Sequence, residues 1–344
     1  MRAVTLAFLL SLGVCGVAAT PAAAQPSVPA PVPQCTVADP RLGELSGLAA
    51  DGDRWYGVND GGSASTVYVL TKDCQIEREI TGPTDPYDVE DLARAADGTF
   101  WLSDTGDNDA DRETVALISL TPDGQSTLYR LTYPDGKHDT EAILLDGAGV
   151  PYLVTKNPLG TADVYRPAAA LASPGPTALE HVAAVRLTST DTPGGPVPGI
   201  VGSVTVTGAA ASHDGTAIAV RTYTDAYLFP VADGDVVAAF GKKPVRVPLP
   251  NEAQGESIAF QPDGSLLSGS EGVGQPITAV AGAAQLVAPK PPPGKKKPAA
   301  ASNVSGASAG KEGLPALPAA VVTIVVVGGG YLLLRWWRAR RRRA

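Results

Sequence analysis

Apolar and polar positions alternate in short runs through the middle of the chain, as half-buried strands require. No Ala/Glu/Lys/Leu run at helical period interrupts them. The pattern recurs five times, beginning at Glu44-Leu-Ser-Gly-Leu, Glu90-Asp-Leu-Ala, Glu141-Ala-Ile-Leu-Leu, Ser203-Val-Thr-Val and Glu256-Ser-Ile-Ala-Phe. Each start leads to an Asp-Gly pair, at Asp51-Gly52, Asp97-Gly98, Asp146-Gly147, Asp214-Gly215 and Asp263-Gly264, with spacings of 46, 49, 68 and 49 residues. Asp-Gly between apolar runs predicts a tight hairpin whose two central residues take positive φ. Two more strand-like runs follow each hairpin, ending in the fifth copy with Pro276–Val280 and Gln285–Val287. Four strands per repeat of about 40–50 residues predict an all-β fold, a β-propeller of five four-stranded blades. The longest interval makes residues 167–202 either a long insertion or a degenerate sixth blade. A β-sandwich gives no reason for the regularity.

The ends read differently. Arg2, the apolar stretch Val4–Val14 and Ala22-Ala23-Ala24 predict a signal peptide over 1–24. Ala316–Leu334 is 19 residues without a charge, the length of a transmembrane helix. Trp336 and Trp337 suit the interface, and Arg335, Arg338 and Arg340 to Arg343 place the 335–344 tail in the cytoplasm. The Pro-, Lys-, Ala- and Ser-rich segment 287–315 reads as a stalk and 25–286 as the propeller ectodomain. The expected topology is a single-pass cell-membrane protein with its folded domain extracytoplasmic.

The formal net charge of −8 conceals an asymmetry: residues 25–289 hold 34 acidic and 15 basic side chains. Such a domain repels nucleic acid and attracts cations. Cys35 and Cys74 remain after signal removal, an even count that predicts one disulfide in an exported protein, the alternative being two buried thiols.

Ser46-Gly47-Leu48, Gly57-Val58-Asn59-Asp60, Val89-Glu90-Asp91-Leu92, Ser103-Asp104-Thr105-Gly106-Asp107-Asn108 and Gly255-Glu256-Ser257-Ile258 resemble secreted bacterial propellers of the phytase-like, esterase-like type, and more distantly the gluconolactonase-like group. The resemblance spans roughly residues 40–280. It implies acidic residues near the propeller axis that bind calcium or another divalent ion.

Blade geometry points to the same place independently. First strands begin, and second strands end, at one mouth of the central channel. Glu44, Glu90 with its neighbour Asp91, Glu141 and Glu256 stand at first-strand starts; Asp60, Asp104, Lys156, Arg221 and Glu271 stand near second-strand ends. Converging carboxylates repel at low dielectric. Relief comes from Ca²⁺, from raised pKa values, or from ion pairs with Lys156 and Arg221. Alternatively each Glu only accepts backbone amides of the next blade. The loop Asp104–Asp111, with Asp104 and Asp107 as candidate ligands, reads as a calcium loop without the EF-hand Glu, or as a solvated acidic hairpin.

No Gly-x-Ser-x-Gly elbow is present, and His138, His181 and His213 lack zinc spacing. Of the three, His138 could lie near the mouth. Three functions compete: a surface-anchored module binding an extracytoplasmic small molecule or protein, a metal-dependent phosphoester or ester hydrolase, and a structural scaffold.

Overall fold

A computed structural model describes residues 28–288. The predicted signal peptide, the span 316–334, the tail 335–344 and all but the first two residues of the stalk lie outside the described residues. Among the described residues no helix is long and apolar enough to cross a membrane.

The first strand, β1 (Val32–Val37), belongs to the end of the fold. The first complete antiparallel unit is β2 (Leu45–Ala50), β3 (Trp55–Asn59), β4 (Ser65–Leu70) and β5 (Ile76–Gly82). The second is β6 (Val89–Arg94), β7 (Phe100–Asp104), β8 (Val115–Leu120) and β9 (Ser126–Thr132). The third is β10 (Thr140–Leu145), β11 (Pro151–Thr155), β12 (Thr161–Pro167) and β13 (Thr177–Arg186). The fourth is β14 (Val206–Ala211), β15 (Ala217–Thr222), β16 (Asp225–Pro230) and β17 (Val245–Pro248). The fifth is β18 (Gly255–Phe260), β19 (Leu266–Ser270) and β20 (Gln275–Val280), completed by β1. A short parallel pairing of β13 with β9 joins the second and third units into one sheet.

First strands pack side by side in a closed ring, β2 on β6, β6 on β10, β10 on β14, β14 on β18 and β18 back on β2. One apolar cluster fills each seam. The seam between the first two units holds Tyr56, Val58 and Val69 against Leu92, Phe100 and Ile118. That between fifth and first holds Leu267 and Ile277 against Leu48, Trp55 and Leu70. This is a β-propeller, in which radial repetition leaves few open sheet edges. The ring is tight: a Cβ at Gly47 of β2 would stand 2.5 Å from the Leu92 amide nitrogen of β6.

One alternative falls and two expectations are corrected. Residues 167–202 form no sixth unit: they hold β13 and a connection to β14. The fifth unit takes its outer strand from β1, whereas Ala284–Leu286 is a single 3₁₀ turn. Pairing the chain's beginning with its end closes the ring, so no local repeat could supply that strand. The Asp-Gly hairpins are not two-residue turns. Gly52, Gly98, Gly215 and Gly264 have positive φ, but their aspartates do not, and in the third unit Gly149 takes this role in place of Gly147. The aspartate instead accepts the amide two residues on, as Asp97 does from Thr99 and Asp263 from Ser265.

Cys35 and Cys74 form the expected disulfide. It ties β1 to the β4–β5 turn, across the seam where the ring closes. A bridge spanning 39 residues contributes about 3–4 kcal/mol by loop-closure entropy.

Candidate functional site

Every first strand carries a bulge in its first turn of pairing. The register slips between Leu45 and Gly47, Val89 and Asp91, Thr140 and Ala142, Val206 and Gly208, and Gly255 and Ile258. A bulge inserts one unpaired residue and re-aims its side chain. The inserted residues are Ser46, Glu90, Glu141 and Thr207, with Glu256 in the corresponding stretch of β18. Glu90, Glu141 and Glu256 are each about 1% exposed. Two residues earlier stand Glu44, Asp88, Asp139, Thr205 and Gln254. Glu44 therefore corresponds to Asp88 and Asp139, and Ser46 occupies the position of Glu90 in the first unit.

Among the described residues, two triads bring acidic oxygens within 4.8 Å of one another: Asp60 with Asp88 and Glu90, and Glu90 with Asp139 and Glu141. Glu90 belongs to both. Its Oε1 is buried and has no hydrogen-bond partner. Burial, reinforced by the charges of Glu141, Asp60 and Asp88 and opposed by Lys156, holds the Glu90 carboxyl well above the usual carboxylate range. Lys156 donates from Nζ to Glu141 Oε1 at 2.5 Å.

The backbone explains where space remains. Asp60 N donates to Glu44 O, Gly106 N to Asp88 O, Lys156 N to Asp139 O and Glu271 N to Gln254 O. Asp60, Lys156 and Glu271 directly follow the last paired residue of their second strands; in the second unit Thr105 has that register, and Gly106, one residue on, makes the equivalent hydrogen bond. A Cβ at Gly106 would overlap Glu90 Oε1 and lie 2.5 Å from Asp88 Oδ2. Glycine here preserves a cradle between two carboxylates. A buried oxygen lacking a donor, inside an all-oxygen cluster, fits a hard cation such as Ca²⁺.

The ring expected of Glu44, Glu90, Glu141 and Glu256 is not symmetric. Glu256 accepts from Gln254 Nε2 at 2.9 Å and from Ser46 Oγ at 3.2 Å, apart from both triads. The acidic oxygens gather instead on the side of the first three units.

Asp91 lies below the bulge, fully buried, and accepts the amides of Leu92, Ile143 and Ala209 at 2.8, 2.9 and 3.2 Å. It links three first strands and floors the channel. Burial raises its pKa while the three amides oppose the rise.

Arg221 is buried between the fourth and fifth units. It is the last residue but one of β15 and sits opposite Gly208. Its guanidinium is 0% exposed and pairs with Glu252 Oε2 at 2.7 Å. It also donates to Ser257 O, Ser268 Oγ and Gly269 O in the fifth unit.

Asp104 and Asp107 belong to neither triad, and they are buried, not solvated. Asp104 accepts the amides of Tyr87 and Asp88 and pairs with Arg112 at 3.2 Å. Asp107 accepts the amides of Asp111 and Arg112, while its own amide donates to Asp139 Oδ1 at 2.8 Å. The loop spends its carboxylates on backbone donors and thereby positions Asp88 and Asp139. Beside it, Tyr87, Asp104, Arg112 and Arg130 line a groove of about 460 Å³.

His138 hydrogen-bonds Asp135 and Tyr165, and His181 bonds Asp163. His213 is exposed in the β14–β15 turn, at the face opposite the mouth.

Sequence reasoning missed Asp88, Asp139, Gly106 and Glu252. A signal for the first two exists: Asp-x-Glu recurs as Asp88-Val89-Glu90 and Asp139-Thr140-Glu141 at the same place in two units.

No protein-family model matches the chain, and no curated protein matches it. Solved structures similar to it include virginiamycin B lyase from Staphylococcus aureus, at 15% identity and TM-score 0.35, covering 66% of this chain and 63% of the lyase. The chain thus spans less than two thirds of that protein. A gluconolactonase from Xanthomonas campestris overlaps at 16% identity and TM-score 0.39, covering 68% of this chain and 71% of its own. A PQQ-bound aldose sugar dehydrogenase from Streptomyces coelicolor overlaps at 11% identity and TM-score 0.41, covering 75% and 99%. These are distant β-propeller proteins. The architecture of this chain rests on its own strand pairing and closed ring of first strands.

Proposed function

We propose that the chain is a membrane-anchored extracytoplasmic β-propeller that binds a small-molecule or protein ligand at a Ca²⁺-loaded channel mouth. The observation that carries this reading is Glu90 Oε1, buried and partnerless between Asp60, Asp88, Asp139 and Glu141. A purely structural ring would give that oxygen a backbone donor, as Asp91 has three times over. The bound ion would supply the positive charge that draws a ligand's oxygen atoms to the mouth.

Two features support presentation of this face. Tyr87, Leu159, Ile200 and Val273 are large apolar side chains more than half exposed, and all four lie in connections on the mouth side, Ile200 in the short helix Gly199–Gly202. The chain approaches residue 289 on the opposite side, where Ala284 N donates to Gly264 O in the β18–β19 turn. An anchor beyond that point would leave the mouth facing away from the bilayer.

Beside the ion, a phytase-like hydrolase would need side-chain cations free to hold an anionic substrate. The Arg221 guanidinium is consumed between two units, and the Lys156 ammonium is paired with Glu141. Binding is therefore the reading favoured over catalysis.

Calorimetry on the detergent-solubilised full-length chain tests it. Millimolar Ca²⁺ is expected to give binding heat and a raised melting temperature, worth about 2.7 kcal/mol at a hundredfold excess over Kd. Glu90→Gln is expected to lose both. Neither heat nor shift in the wild-type chain would overturn the reading.

A further inference from the structure

We infer that Lys156 is a built-in cation occupying one of two overlapping carboxylate triads, so that the mouth takes one divalent ion, seated on Asp60, Asp88 and Glu90, and not two. This rests on the cation-binding reading above and adds the number and place of the ions.

The two triads share Glu90 and offer similar oxygen sets, Asp60–Asp88–Glu90 and Glu90–Asp139–Glu141. What separates them is the residue whose amide bonds the carbonyl of the triad's aspartate. In the third unit Lys156, its amide bonded to Asp139 O, carries an ammonium to within 2.5 Å of Glu141 Oε1. In the second unit Gly106, its amide bonded to Asp88 O, has no side chain at all. The space beside Glu90 Oε1 and Asp88 Oδ2 is the space a Cβ would fill.

One triad is thus furnished with a positive charge by the chain itself, and the other is cleared to receive one from solution. The Lys156 side chain is 13% exposed and its Glu141 partner 1%. A divalent ion entering the second triad would have to displace this buried ammonium from its carboxylate or sit beside it. Like charges at that separation repel strongly where water is scarce. In the first triad the buried Glu90 oxygen lacks a hydrogen-bond donor.

The test is ion stoichiometry on the full-length chain, by equilibrium dialysis against Ca²⁺ and by calorimetry. The wild type is expected to hold one ion per chain at the mouth. Lys156→Gln, which removes the charge and keeps a polar side chain, is expected to hold two. Lys156→Arg is expected to hold one. A wild type binding two ions, or a folded Lys156→Gln binding still only one, would overturn the inference while leaving the cation-binding reading in place. A wild type binding none would instead overturn that underlying reading, and this inference with it. The wild-type count needs no variant, so it decides even where Lys156→Gln unfolds.

Discussion

Replacing Arg221 with methionine is expected to destabilise the propeller by about 3–5 kcal/mol, the cost of stripping one partner from a buried ion pair. For a domain of this size that corresponds to a fall in melting temperature of roughly 10 °C. The substitution leaves Glu252 buried, and its other oxygen accepts only from Ser268 Oγ at 2.5 Å. It also deprives Ser257 O and Gly269 O in the fifth unit of a donor on the fourth. Because the penalty comes mainly from the stranded carboxylate, Glu252→Gln in the same chain is expected to recover part of it. Thermal and denaturant unfolding of the two single variants and the double variant measure that coupling. A loss below about 1 kcal/mol for Arg221→Met would show that the guanidinium is a bystander at the seam.

Glu90→Gln is expected to reverse its effect on stability according to whether Ca²⁺ is present. Without the ion, the folded protein holds the Glu90 proton to a higher pH than the unfolded chain, whose glutamate titrates near 4.5. Stability contributed at this site therefore falls as pH rises above that value, until the folded-state titration is passed. Glutamine does not titrate. Cation-free Glu90→Gln is thus expected to melt higher than the wild type at pH 7–8, with the gain vanishing towards pH 4. Asp135 and Asp214, whose pKa values are lowered, titrate alike in both proteins and cancel in the difference. Saturating Ca²⁺ should invert the order, since only the wild type keeps the oxygen that anchors the ion. Melting curves across pH in chelator and in Ca²⁺ read this directly. A wild type more stable than the variant in chelator at pH 8 would contradict it.

The architecture was legible because its signals are local. Alternating runs and Asp-Gly turns mark hairpins, and the repeat period marks the units. The ring closure by β1 was not legible, because it pairs residues far apart in the chain: Cys35 lies opposite Ile277. The site was legible in part. Glu90, Glu141, Lys156 and Asp60 were found by counting from strand ends. The same counting placed Glu44 in the ring of bulge residues, whereas the bulge falls at Ser46, and it could not show that Asp104 and Arg221 are taken up by buried partners. A bulge shifts the register by one residue, and nothing in the local sequence announces it. Asp88 and Asp139 are set in place by that shift. Gly106 was read as part of an acidic loop, yet its contribution is the volume it leaves empty. Glu252 lies in the turn-rich stretch before β18, and only packing reveals it as the partner of Arg221.

The cradle beside Glu90 is the core of this account, and crystals of the chain soaked in Ca²⁺ test it most directly through anomalous density at long wavelength. A peak is expected about 2.3–2.6 Å from Glu90 Oε1, shared with Asp88 and Asp60. A mouth with no such peak, in which water bridges that oxygen to its neighbours, would contradict it.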